Sequence, residues 1–139
     1  MERKLATALF VDLVDSTALV ASHDPEIARR RVTGFFDRVR THIETYGGTV
    51  EKFAGDAVLA VFGVPTAHED DAERAVRAAF AIRDWALEES DVQVRIAVTT
   101  GEALIRLGVR PETGEGMASG DVVNTAARLQ SAAPVNGIL

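Results

Sequence analysis

Cysteine is absent from the 139 residues, which removes disulfides, thiolate metal sites and cysteine nucleophiles from consideration. A basic surface is lacking as well. The 15 Lys and Arg stand against 21 Asp and Glu, a formal charge of −6, so nothing marks a general nucleic-acid or anionic-membrane binder. A polyphosphate would have to be held locally or through metal ions. No apolar stretch approaches a membrane span in length. Charged Met1 to Lys4 followed by apolar Leu5 to Val11 resembles the start of a signal peptide, but Asp12 closes the run early and no small-residue cleavage site follows. These absences predict a cytoplasmic protein or domain. What is present, 47% hydrophobic and 26% charged residues, suits one globular domain over residues 1–139.

Leu5 to Val14 holds a nearly continuous apolar run closed by Asp12 and Asp15, the pattern of a strand buried on both faces whose carboxyl end opens to solvent. Asp24, Pro25 and Glu26 are helix-start signals. Ala28, Val32, Phe35, Phe36, Val39, Ile43 and Tyr46 then form one apolar stripe that ends at Gly47 and Gly48. Thr49 to Ala54 and Ala57 to Phe62, separated by Gly55 and Asp56, predict a tight β-hairpin. After Pro65 a second helix is expected, with Glu69, Asp70, Asp71 and Glu73 as complements to its dipole and Ala72, Ala75, Val76, Ala79, Ile82 and Ala86 facing inward. Val92 to Thr99 alternates as a half-buried strand, and Gly101 to Met117 has the composition of an arm or loop. A helix from Asp121 to Ala132 sets Val122, Ala126, Leu129 and Ala133 against Asn124 and Arg128 on the opposite side, and Gly137 to Leu139 opens another strand. The order β-α-β-β-α-β-(arm)-α-(β) predicts an α+β fold of ferredoxin-like or palm type, helices packed on a sheet with an antiparallel hairpin.

Asp12 at a strand end and Asp56 at a hairpin turn would fall close together on adjacent strands, within reach of a shared hard cation such as Mg²⁺ or Mn²⁺. On spacing alone the pair fits equally well the ordinary use of Asp in turns. His23, His42 and His68 show no metal-ligand spacing and are expected to face solvent or cap helices. Trp85 is expected to cover the core.

Three segments narrow the choice. F-V-D-L-V-D-S-T at Phe10 to Thr17, E-K-F-A-G-D-A-V-L-A-V-F-G at Glu51 to Gly63 and G-D-V-V-N-T-A-A-R-L at Gly120 to Leu129 together closely resemble the catalytic domain of class III nucleotidyl cyclases, and three ordered motifs are far more specific than one. The resemblance spans about residues 5–139. It implies an adenylate cyclase that makes 3′,5′-cyclic AMP and pyrophosphate from ATP in a homodimer with active sites at the interface. Asp12 and Asp56, with the carbonyl of Leu13, would hold two Mg²⁺ or Mn²⁺ ions. The backbone amides of Val14, Asp15, Ser16 and Thr17 would cradle phosphate oxygens. From the other protomer, Asn124 would orient the ribose and Arg128 would neutralise charge on the α-phosphate, and Lys52 would read the base. Lysine only donates hydrogen bonds, and adenine N1 accepts one where guanine N1 carries a proton, so ATP is favoured.

Some positions depart from the family pattern. Met117 stands where an Asp or Thr usually reads the adenine amino group, and thioether sulfur accepts only weakly. Glu102 stands where some members have a phosphate-binding Arg. A further phosphate-contacting Lys of the family falls beyond Leu139, so the resemblance implies a domain truncated at its C-terminus. These departures keep two alternatives in view, a catalytically weak nucleotide-binding or regulatory dimerisation module and a guanylate cyclase.

Overall fold

In a computed structural model, the structure describes residues 2–14, 24–54, 57–64, 67–88, 92–105, 118–119 and 121–139. The elements are β1 (Glu2–Leu13), α1 (Pro25–Thr45), β2 (Thr49–Ala54), β3 (Ala57–Phe62), α2 (Asp71–Glu88), β4 (Val94–Ile105), β5 (Ala118–Ser119), α3 (Asp121–Ala132) and β6 (Gly137–Ile138). They form one sheet in the order β2-β3-β1-β4-β5, antiparallel throughout, with β6 added parallel to β4. This is the expected α+β arrangement.

Strand alternation divides the core in two. Leu9, Val11 and Leu13 of β1, Val58, Ala60 and Phe62 of β3, and Val94 and Ile96 of β4 lie under α1 and α2. Ala6, Ala8, Leu59, Val61 and Ala103 lie under α3. Each central strand is therefore apolar on both faces, which is why β1 and β3 read as near-continuous hydrophobic runs.

Helix α1 begins as its sequence predicts: the Asp24 carboxylate accepts the Glu26 backbone N–H at 2.9 Å, and Pro25 occupies the first turn. Phe35, Val39 and Ile43, four apart, are its buried ridge. It ends in a Schellman turn, in which Gly48 N donates to Ile43 O at 2.9 Å and Gly47 N to Glu44 O at 3.0 Å. Gly47 has φ +86°, a left-handed conformation that favours glycine, and packs against the Arg74 guanidinium.

Three expectations need correction. First, β4 continues through Gly101 to Ile105, because its full length pairs with β1, from Leu13↔Val94 to Glu2↔Ile105. Gly101 is thus a strand residue, placed where Val122 of α3 comes within 3.4 Å of the position its Cβ would take. Second, Ala72 and Val76 of α2 are exposed and Ala78 is buried. The core-facing place one turn before Ala75 belongs to Asp71. Its carboxylate accepts the His68 backbone N–H at 2.7 Å and pairs with Arg74 at 2.6 Å, and Arg74 also reaches the Tyr46 carbonyl at 3.3 Å. Asp71 therefore joins the start of α2 to the end of α1 and is more than a dipole complement. Third, His42 is half-buried in α1, with its Nε2 sealed from solvent and lacking a hydrogen-bond partner. Burial, and secondarily the charge of Arg38, holds its pKa below the ordinary histidine value. His68 is exposed beside Asp71, whereas His23 lies outside the described residues. Trp85 covers the core as expected, 6.0 Å from the Phe35 ring centroid, with the Arg38 guanidinium 5.7 Å from its own.

Candidate active site

Asp12 is the penultimate residue of β1, and its register partners are Ala57 on β3 and Arg95 on β4. Asp56 itself lies outside the described residues; Ala57, which follows it in the sequence, is the β3 partner of Asp12. The Asp12 side chain lies on the α3 face of the sheet, where its Oδ2 accepts a hydrogen bond from Gln130 Nε2 at 3.1 Å. Leu13 turns its side chain into the α1/α2 core, and Val14 N donates to the Gln93 carbonyl at 2.8 Å as the strand ends. Arg95, opposite Asp12, has its Nε buried without a hydrogen-bond partner.

Helix α3 presents two faces. Val122, Ala126 and Gln130, four apart, are buried against the sheet. Asn124 and Arg128 are exposed on the other side, where Arg128 Nη2 contacts Thr125 Oγ1 at 3.4 Å. A single chain therefore brings Asp12 together with Gln130 and directs Asn124 and Arg128 away from it. Asp15, Ser16, Thr17 and Met117 lie outside the described residues, as does the side chain of Lys52. The Lys52 backbone pairs with Leu59 through an irregularity in β2 between Val50 and Lys52, where Glu51 is fully buried. Glu102 lies 3.5 Å from Arg3 in an exposed cross-strand pair, so its charge has a partner on its own sheet.

Among the described residues, no cluster of three or more His, Cys, Asp or Glu could hold a metal ion. The donors available at the end of β1, the Asp12 carboxylate and the Leu13 peptide carbonyl, are all oxygen. They fit a hard divalent cation that takes its other ligands from water and phosphate. Gln130 was not found by sequence reasoning. Its signal was available: it is the polar member of a stripe otherwise made of Val122, Ala126 and Ala133.

A family model described as the adenylate and guanylate cyclase catalytic domain matches residues 2–139, and the chain belongs to that family. Class III cyclases generally use divalent metal ions. Among curated relatives, an uncharacterized protein of Mycobacterium tuberculosis is 35% identical over 130 residues, which cover 92% of this chain and 24% of that protein. Adenylate cyclase 1 of Rhizobium meliloti is 29% identical over 137 residues, 92% of this chain and 21% of its own length. The chain thus spans about a quarter of the length of the curated relatives it matches. Among solved structures, the adenylyl cyclase CyaB of P. aeruginosa superposes with a TM-score of 0.85 at 26% identity, over 99% of this chain and 76% of that one. The dimeric guanylyl cyclase domain of the RhoGC fusion protein of Blastocladiella emersonii shares the fold at a TM-score of 0.88 and 23% identity, over 99% and 80% of the two chains. No described helix is long and apolar enough to cross a membrane.

Proposed function

We propose that the chain is an adenylate cyclase catalytic domain, cytoplasmic and homodimeric, which converts ATP to 3′,5′-cyclic AMP and pyrophosphate with two Mg²⁺ or Mn²⁺ ions per site. The observation that carries this reading is the division of residues within one chain: Asp12 is set against the strand that follows Asp56, while Asn124 and Arg128 stand on the outward face of α3. A complete site then takes its carboxylates from one protomer and its polar helix residues from the other. The bound ions would activate the ribose 3′-hydroxyl for in-line attack on the α-phosphorus and hold the triphosphate. Asp12 and Asp56 supply the carboxylates, and the Leu13 carbonyl a further oxygen. Backbone amides from Asp15 to Thr17 bind phosphate oxygens, the expected Val14 amide being already given to the Gln93 carbonyl at 2.8 Å; Asn124 orients the ribose, and Arg128 stabilises negative charge on the α-phosphate. Lys52 donates to adenine N1, with Met117 packing on the ring.

The relative and the neighbour named as adenylate cyclases, from Rhizobium and Pseudomonas, support the ATP assignment. Met117 favours a second reading, a guanylate cyclase with looser base selection. The guanylyl cyclase Cya2, 27% identical at a TM-score of 0.80 over 99% of this chain, shows that the fold also serves that substrate. The Arg3–Glu102 pair gives the Glu102 charge a partner within its own chain, which lessens the repulsion it would offer a phosphate. Paired assays with ATP and GTP under Mg²⁺ and Mn²⁺ discriminate these readings. Cyclic AMP from ATP is expected; a confirmed dimer that forms no cyclic AMP sinks the proposal, and GTP preference transfers it to the second reading. Mixing Asp12→Ala and Arg128→Ala chains, each inactive alone, should restore activity, since each mixed dimer keeps one intact site.

A further inference from the structure

We propose that Gln130 is a positioning residue for the Asp12 carboxylate, a neutral amide that fixes the metal-binding side chain in one orientation without cancelling its charge. The inference rests on the metal-binding role proposed for Asp12. Gln130 is only 6% exposed and sits on the face of α3 whose other buried members are Val122 and Ala126. A leucine would extend that stripe, whereas a glutamine costs side-chain entropy and must be hydrogen-bonded where it is buried. Its amide spans from the helix to Asp12 Oδ2 at 3.1 Å. A carboxylate only accepts, so the amide nitrogen is the end that faces Asp12. An Arg or Lys in this place would hold Asp12 equally well, but would neutralise it and compete with a dication. Glutamine orders the carboxylate without adding a positive charge of its own, as outer-shell partners of metal ligands commonly do. The same helix exposes Asn124 and Arg128 on its other side. The Gln130–Asp12 bond therefore also fixes that helix to the metal-bearing strand of its own chain.

The test is Mn²⁺ binding without nucleotide, read from the electron paramagnetic resonance signal of free Mn²⁺, for the unaltered chain, Gln130→Met, Asp12→Asn and the double variant. Methionine keeps the length of the side chain and removes the donor. Gln130→Met is expected to weaken Mn²⁺ binding about ten-fold, the low end of typical outer-shell effects. The melting temperature without metal should change by no more than about 10 °C, the size of a single hydrogen bond to a charged group in a domain of this length. On the Asp12→Asn background the same change should have no further effect on Mn²⁺. Unaltered binding in Gln130→Met beside lost binding in Asp12→Asn overturns the positioning role alone. Equal weakening on both backgrounds also overturns it, because the effect would then be a general loss of structure. Unaltered binding in Asp12→Asn overturns the metal assignment itself and this inference with it.

Discussion

Replacing Asp71 with alanine removes the carboxylate that joins α2 to the end of α1, and the structure sets the size of the loss. The side chain is 11% exposed, accepts the His68 N–H at 2.7 Å and binds Arg74 Nη2 at 2.6 Å. Breaking a buried ion pair costs about 3–5 kcal/mol when the surviving charge is stranded. Arg74 is not stranded: its side chain is 23% exposed and keeps Asp70 at 3.2 Å and the Tyr46 carbonyl at 3.3 Å. Most of the Coulombic penalty is thereby relieved, and what is left together with the orphaned His68 N–H comes to about 2–3 kcal/mol. With each kcal/mol worth about 3–4 °C in a domain of this length, the melting temperature should fall by about 6–12 °C. Far-UV circular dichroism melts measure this directly. Asp71→Asn retains an acceptor for His68 and should lose about half as much. Helix α2 packs on the face of the sheet opposite Gln130 and Asp12, so activity per folded molecule should not change. A fall of less than about 2 °C for Asp71→Ala would refute the reasoning, since it would mean that the pair is worth no more than an exposed one.

Gly47→Ala should cost about 1–2 kcal/mol, because φ +86° is strained for any residue with a Cβ and the added methyl displaces the Arg74 guanidinium; urea denaturation gives the value. His42 has a folded-state pKa below its unfolded value, so the unfolded chain binds the proton more readily and stability falls as pH drops below about 6.5. Urea midpoints between pH 7.5 and 5 should show that decline in the unaltered chain and a smaller one in His42→Gln. Arg128→Ala should lower kcat by about 10²–10³-fold through lost transition-state stabilisation while leaving the melting temperature unchanged, because Arg128 is exposed and its contact with Thr125 is a long 3.4 Å.

The elements that could be read from the chain are those whose local chemistry and tertiary role agree. Pro25 and the Asp24 cap start α1 where the residues say they should, and the boundaries of the β2–β3 hairpin and of α3 match the sequence pattern residue for residue. The misreadings fall where tertiary contact overrides pattern. Gly101 resembles the start of a loop because glycine punctuates chains. Here it is a strand residue beneath Val122 of α3, and the pairing of β1 with β4 carries the strand on to Ile105. Ala72 and Val76 look like core residues by type, yet the helix phase is set by Ala75, Ala78, Ala79, Ile82 and Ala86, with a buried acid completing the inner row.

At the proposed site, motifs single out Asp12, Asn124 and Arg128, but that Asp12 of β1 meets the buried face of α3 while Asn124 and Arg128 stand on its exposed face depends on how that helix sits on the sheet. The β2 strand makes the same point more sharply. Thr49 pairs with Val61 and Val50 with Ala60, so regular alternation would pair position 52 with Val58, a residue of the core under α1 and α2. The irregularity at Glu51 pairs it instead with Leu59, a residue of the core under α3, the side on which Asp12 meets Gln130. One extra residue changes the parity of everything after it in a strand. Periodicity in the sequence could not have reported that shift, because E-K-F-A carries no glycine or proline to mark it. Glu51 is the extra residue itself, so a chain that lacks it would pair regularly with Lys52 still opposite Leu59. Deleting Glu51 should therefore preserve the choice between ATP and GTP, whereas inserting one alanine after Glu51 should shift Lys52 out of that position and abolish the choice, as paired assays with the two nucleotides would measure.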